Sequence, residues 1–167
     1  MSSDAAIEAP IDLHRETVRP EWIDYNGHMN VAFYVLAFDH ATDRLMDALG
    51  LDEAYRWRTG WSLFALEQHI VYLAELRERD PLRVSCQLLD HDAKRLHFFL
   101  RMYHADRGYL AATSEILALH VDLAARRGRD FPPDIAAQLA RVAVAHGALE
   151  RPEQAGRVIG IGKRSSS

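Results

Sequence analysis

The sequence predicts an α+β fold, a curved antiparallel sheet of five strands wrapped around one long central helix. Three observations predict it. A strand-like opening segment leads into a helical stretch, residues 31–49, whose first half is apolar nearly all round. Four long strand-like segments follow it. The connections between them are short, such as "ADRG" at 105–108, which suits antiparallel hairpins.

Each element has its own signal. Residues 11–19, "IDLHRETVR", alternate as a strand does, and Pro20 ends them. From Val31 to Leu49 apolar residues recur at Val31, Val35, Phe38, Leu45 and Leu49, widened by Phe33, Tyr34, Leu36, Ala37 and Ala41. Gly50 supplies a stop. Further strands are read at 61–76, 82–92, 94–105 and 109–123. In 82–92, Leu82, Val84, Cys86 and Leu88 alternate with Arg83, Ser85 and Gln87. In 94–105, Leu96, Phe98, Leu100 and Met102 share one face, and His97, Phe99, Arg101 and Tyr103 the other. "PPDIAAQLARVAVAHG" opens on proline and suits a last helix that stops near Gly147. No internal repeat is present. The expected organisation is a flexible N-terminus at 1–10, one domain at 11–147 and a tail at 148–167.

Composition narrows the class. With 167 residues, 49% hydrophobic and 26% charged, the chain has the balance of a globular domain able to bury a core. A formal net charge of -4 argues against a general nucleic-acid or acidic-membrane binder. Cys86 is the single cysteine, so no disulfide forms within the chain. No apolar run approaches the roughly 20 residues of a membrane span, and "MSSDAAIEAP" is not a secretory signal. A cytoplasmic location is expected.

The chemistry concentrates in "DYNGHMN", residues 24–30, immediately before the long helix. Asp24 lies about a turn ahead of the helix, where the positive end of the dipole favours an ionised carboxylate. The backbone N–H groups of Gly27, His28 and Met29 fall where a first turn leaves donors unpaired, and Gly27 permits positive φ. The same Asp also suits a turn cap before an Asn-Gly bend, and His28 suits either substrate contact or a bond to local backbone. Asn26 and Asn30 suit turn shaping and helix capping. Glu67, between Leu66 and Gln68, is a second candidate acid or a solvent-facing strand residue, and Glu115 has a similar setting.

Other site classes lack their signatures. The nine histidines include His69, His97, His104 and His120 within strands, without HExxH spacing, so no metal is implied. G-x-S-x-G and P-loop patterns are missing, and "GRVIGIGKR" has no following helix to make a dinucleotide site. No cofactor is expected.

The element order together with "DYNGHMN" resembles the hotdog-fold acyl-CoA thioesterases of the 4-hydroxybenzoyl-CoA thioesterase type, over about residues 11–123. More narrowly, "VRPEWIDYNGHMN", "FDHATDRLMDALGLD", "KRLHFF" and "LHVDLAARRGR" resemble the betainyl-CoA thioesterases of bacterial carnitine breakdown. The resemblance implies a single hotdog domain that hydrolyses a short acyl-CoA, betainyl-CoA first. It places the catalytic carboxylate at Asp24, as nucleophile or general base, with Gly27 and His28 beside it. A trimethylammonium acyl group calls for aromatic faces: Trp22, Tyr25, Tyr34, Phe38 and Trp61 are candidates, with Trp57 and Tyr72 behind them, and core packing is the other use of such residues. Coenzyme A phosphates call for cations. Lys94 and Arg95 are preferred over Arg126, Arg127 and Arg129 and over Lys163 and Arg164. A single such sheet leaves a bare edge, so a homodimer or a dimer of dimers is expected.

Two other readings remain open. A hotdog enoyl-CoA hydratase needs a D-x-N-P-x-H-like loop, and here Asp24 to His28 is one residue short and lacks the proline. A non-catalytic acyl-CoA sensor would carry a joined DNA-binding segment, and none is legible.

Overall fold

The computed structural model describes residues 6–161. The elements run β1 (Ile11–Thr17), a 3-10 turn (Pro20–Trp22), α1 (Val31–Leu49), α2 (Glu53–Thr59), β2 (Trp61–Tyr72), β3 (Pro81–His91), β4 (Arg95–His104), β5 (Leu110–Asp122), β6 (Arg127–Gly128) and α3 (Pro133–His146). The strands form one antiparallel sheet in the order β1-β3-β4-β5-β2, and the short β6 pairs off β5. The expected five strands and long helix are present; α2 and β6 are additions.

α1 forms where both its ends are chemically marked. Asn30 caps it, its side chain accepting from Ala32 N–H at 2.9 Å, and Gly50 ends it at φ 79°, a conformation that suits glycine. Its buried stripe is Tyr34, Ala37, Phe38, Ala41, Leu45 and Leu49, at helical spacing. The two alanines let the helix approach the sheet closely. This corrects the expected stripe, because Val31, Val35 and Leu36 are exposed. The sheet encloses one side of the first half of the helix and leaves the other open.

Strand register explains the layers. Leu82, Val84, Cys86 and Leu88 pair with His104, Met102, Leu100 and Phe98, and this face packs under α1 in the main core. The opposite face is also covered. Ser85, Gln87, Phe99 and Thr113 are buried there. Gln87 Nε2 donates to the Glu150 carbonyl at 3.2 Å, and Gly156 N–H donates to Glu115 Oε2 at 2.6 Å, so residues 150–156 run over the sheet's outer side. That part of the segment read as a tail is therefore attached. At the other terminus Ile7 packs on the core, and His146 Nε2 donates to the Glu8 carbonyl at 3.0 Å. His146 Nδ1 accepts from Leu88 N–H, just past the last β1–β3 pair, tying α3 to the sheet.

β2 ends at Tyr72, short of the expected residue 76, because Leu73 and Ala74 N–H both turn to the Ala111 carbonyl. The chain then buries Leu76 beneath the loop that precedes α1. Among the described residues no helix is long and apolar enough to cross a membrane.

Candidate active site

The loop from Asp24 to Asn30 is a closed structure. Asp24 N–H donates to the His28 carbonyl at 3.1 Å, Gly27 N–H returns to the Asp24 carbonyl at 3.0 Å, and Ile23 bridges Met29. Gly27 sits at φ 82° with open space where a Cβ would lie, so backbone conformation demands the glycine and crowding does not. Asn30 N–H bonds the Trp22 carbonyl at 2.9 Å, and Met29 N–H bonds the Leu76 carbonyl at 2.8 Å. The loop is thus held from both sides.

Within it, Asp24 is half-buried, and its Oδ1 accepts from Asn26 N–H at 2.8 Å. The turn-cap role and the catalytic placement therefore coexist, since Oδ2 has no protein partner among the described residues. The carboxylate stands ahead of the α1 N-terminus. Two of the expected oxyanion donors are already used: Gly27 N–H and Met29 N–H bond carbonyls of the protein. The Tyr25, His28 and Val31 N–H groups are the uncommitted donors here among the described residues. A free carboxylate oxygen beside unpaired N–H groups is equipment for attack at a carbonyl and for holding the resulting oxyanion.

His28 turns outward. Its Nε2 lies 3.8 Å from Glu75 Oε1, on the connector after β2. That connector is organised by a residue whose role sequence reasoning did not anticipate. The Tyr34 hydroxyl accepts from buried Leu76 N–H at 3.1 Å and reaches the Ala74 carbonyl at 3.5 Å, and burial pushes its pKa up, so it remains a protonated donor. Tyr34 was legible only as an aromatic on an apolar helix. Its partner, a backbone N–H forty-two residues away, has no sequence signal.

Most of the expected aromatic cage is core. Trp22 is 2% exposed and stacks on Phe33 at 5.4 Å, with Arg19 over its ring, while Phe38 is fully buried. Trp61 belongs to a separate cluster with Tyr55, His120 and Arg129, whose guanidinium lies 3.7 Å from the Trp61 ring centre. Tyr25 alone of the five candidates is open, 98% exposed at the loop tip.

Glu67 is not brought to Asp24. A bulge at Leu66 leaves Ala65 and Gln68 on the helix side of the sheet and turns Glu67 to the outer side, beside His69, His97 and Glu115. Alternation could not reveal the bulge. Lys94 and Arg95 occupy the tight β3–β4 connection, where Asp92 accepts from both backbone N–H groups and from Arg95 Nε at 2.7 Å. The Arg95 side chain beside Asp92 holds that carboxyl down to about 2. A cation so paired, next to Asp90, is a poor phosphate clamp. Lys163 and Arg164 lie outside the described residues.

Residues 18–139 match the model of the thioesterase-like superfamily, a span that holds the Asp24 loop, α1 and the full β2–β5 sheet. The chain belongs to that superfamily. It is 46% identical over 151 residues to the betainyl-CoA thioesterase of Pseudomonas aeruginosa, covering 90% of this chain and 95% of that protein. It is 41% identical over 155 residues to the L-carnitine dehydrogenase/betainyl-CoA thioesterase of Ruegeria pomeroyi, of which it spans 31% while 93% of this chain is covered. A Staphylococcus aureus protein solved in complex with CoA superposes with a TM-score of 0.84 at 34% identity, covering 93% of this chain and all of that one. Both curated relatives carry betainyl-CoA thioesterase activity in their names, the second together with L-carnitine dehydrogenase.

In this thioesterase fold an apolar groove of about 310 Å³ runs beside the site, between α1 and the β2–β5 pair. Val35, Leu36, Leu63, Phe98 and Ile116 line it. Val31, Phe64 and Leu66, each more than half exposed, extend the apolar surface to the bare β2 edge.

Proposed function

We propose that this thioesterase hydrolyses betainyl-CoA to betaine and CoA, as a cytoplasmic homodimer, with Asp24 as its catalytic carboxylate. The carrying observation is the Asp24 loop: a half-buried carboxylate with one unpartnered oxygen, fixed ahead of a helix N-terminus in the same segment as the unpaired His28 and Val31 N–H groups. Asp24 either attacks the thioester carbonyl, releasing CoA thiolate and leaving a mixed anhydride for water to open, or deprotonates the attacking water. Both routes form an oxyanion that the free N–H groups can hold.

The acyl assignment rests on the 46% identity to the Pseudomonas aeruginosa enzyme across nearly its full length. Physical chemistry limits where recognition can occur. The ammonium nitrogen of a betainyl group is two bonds from the thioester carbonyl, so any ring that recognises it lies within a few ångströms of the Asp24 carboxylate. Tyr25 is the open aromatic there. A second face comes from another copy across a two-fold axis, since the β2 edge is unpaired and carries exposed Phe64 and Leu66. Each favourable ring contributes about 0.5–2 kcal/mol, a preference of about 2- to 30-fold over a neutral isostere.

The test is thiol release from betainyl-CoA, its tert-butyl isostere, acetyl-CoA, 4-hydroxybenzoyl-CoA and palmitoyl-CoA. Betainyl-CoA is expected to have the highest kcat/KM. Equal turnover of the neutral isostere would remove cation recognition and leave thioester hydrolysis standing. Binding without cleavage of any thioester would replace the enzyme with a sensor.

A further inference from the structure

On the opposite flank of α1, three side chains outside the site converge. His14 and Glu16, two apart on β1, face α1: their partners Val84 and Leu82 lie on the core face of the sheet. His40, one residue before buried Ala41, projects from the flank of α1 toward them. Glu16 Oε1 lies 3.0 Å from His14 Nε2 and 3.1 Å from His40 Nδ1, and the ligand atoms of the three all fall within 4.8 Å of one another. The side chains of His14 and Glu16 are only 15% and 12% exposed.

One detail separates this set from an ordinary hydrogen-bonded network. His14 Nε2 is buried yet makes no hydrogen bond, although a carboxylate oxygen stands 3.0 Å away. The nitrogen is close to its neighbour and wrongly directed for a bond to it. A buried imidazole nitrogen left unpartnered beside a carboxylate and a second imidazole is what a shared cation would satisfy. A tetrahedral zinc ion, with bonds of about 2.0–2.2 Å, holds its ligand atoms about 3.3 Å apart. The observed separations to Glu16 Oε1 are within a few tenths of an ångström of that.

We propose that His14 Nε2, His40 Nδ1 and Glu16 Oε1 bind one divalent transition-metal ion of the zinc type per chain. Two imidazoles and one carboxylate suit that class over magnesium or calcium, which prefer all-oxygen shells. Three protein ligands leave a position for water, facing an open cleft of about 830 Å³ that Arg19, Asp43 and Arg44 also line. The site shares no residue with the Asp24 loop, so it stands independently of the substrate assignment.

The test uses tag-free, chelator-stripped protein. Zinc titrated by calorimetry, and cobalt by its visible absorption, are expected to show one ion per chain. His14→Gln, Glu16→Gln and His40→Gln each weaken binding at least about tenfold. His97→Gln, which removes the His97–Glu115 pair on the outer face, leaves it unchanged. Because a variant can fail to fold, zinc is also added to the labelled wild-type chain and histidine ring nitrogens are followed by NMR. His14 Nε2 and His40 Nδ1 are expected to shift. No stoichiometric binding, or shifts confined to other histidines, overturns the proposal.

Discussion

Replacing Tyr34 by Phe removes one oxygen atom and almost no volume, so it isolates a single hydrogen-bonding role. The Tyr34 hydroxyl is the acceptor for Leu76 N–H at 3.1 Å, and Leu76 is fully buried. Without the oxygen that buried N–H loses its protein partner, at a cost of about 1–3 kcal/mol. The 3.5 Å approach to the Ala74 carbonyl is long and adds little. For a domain of this size each kcal/mol shifts the melting temperature by about 2–4 °C, so a fall of about 2–12 °C is expected. Leu76 also accepts from Met29 N–H, so loosening it disturbs the Asp24 loop and lowers turnover as well. The assay is thermal and urea unfolding of Tyr34→Phe beside Tyr72→Phe, whose half-exposed ring packs edge-on against Tyr34. Tyr72→Phe is expected to stay within about 0.5 kcal/mol of wild type. An equally small change in Tyr34→Phe, with unaltered turnover, would refute the hydroxyl as the tie between α1 and the loop.

Two further outcomes follow from burial. Phe38 is fully buried at the centre of the α1 stripe, and Phe38→Ala should cost about 3–5 kcal/mol by denaturant unfolding; a loss below about 1 kcal/mol would misplace it. Burial holds the His120 imidazole below its ordinary 6.5, with Nδ1–H donating to the Arg129 carbonyl at 2.8 Å and Nε2 accepting from the Tyr55 hydroxyl at 2.9 Å. The unfolded chain then binds a proton that the folded chain resists, so stability falls as pH drops below about 6.5 and levels once the folded ring also protonates. Melting temperatures at about pH 7 and pH 5 should diverge less in His120→Gln; equal divergence would assign the pH response elsewhere.

The helix and sheet were legible because their signals are local and repeated. Val31 to Leu49 carries both period and caps, and the strands alternate. What alternation cannot carry is where a strand bulges. Leu66 slips the register by one residue, so Glu67, an apparent partner for Asp24, faces away from it. Nor does residue type separate a binding ring from a packing one: Trp22 and Tyr25 are three apart, one buried and one open. α2 was marked after all, by Asp52 accepting from Tyr55 N–H and by Gly60, but its seven residues are too few to show a period. The placement of Asp24 was readable because it depends only on nearness to a helix start. The Tyr34–Leu76 bond and the His14, Glu16 and His40 cluster depend on long-range folding, and sequence spacing is silent about both.

The most direct measurement is the turnover of Asp24→Asn. Asparagine keeps the side-chain oxygen that accepts from Asn26 N–H, so the loop, the fold and the melting temperature should persist. It cannot act as a nucleophilic carboxylate or accept a proton from water, and the loss of that group should lower kcat for betainyl-CoA hydrolysis by about 10²–10⁴-fold. Near-wild-type turnover in a variant that melts like the wild type would contradict the assignment of catalysis to Asp24.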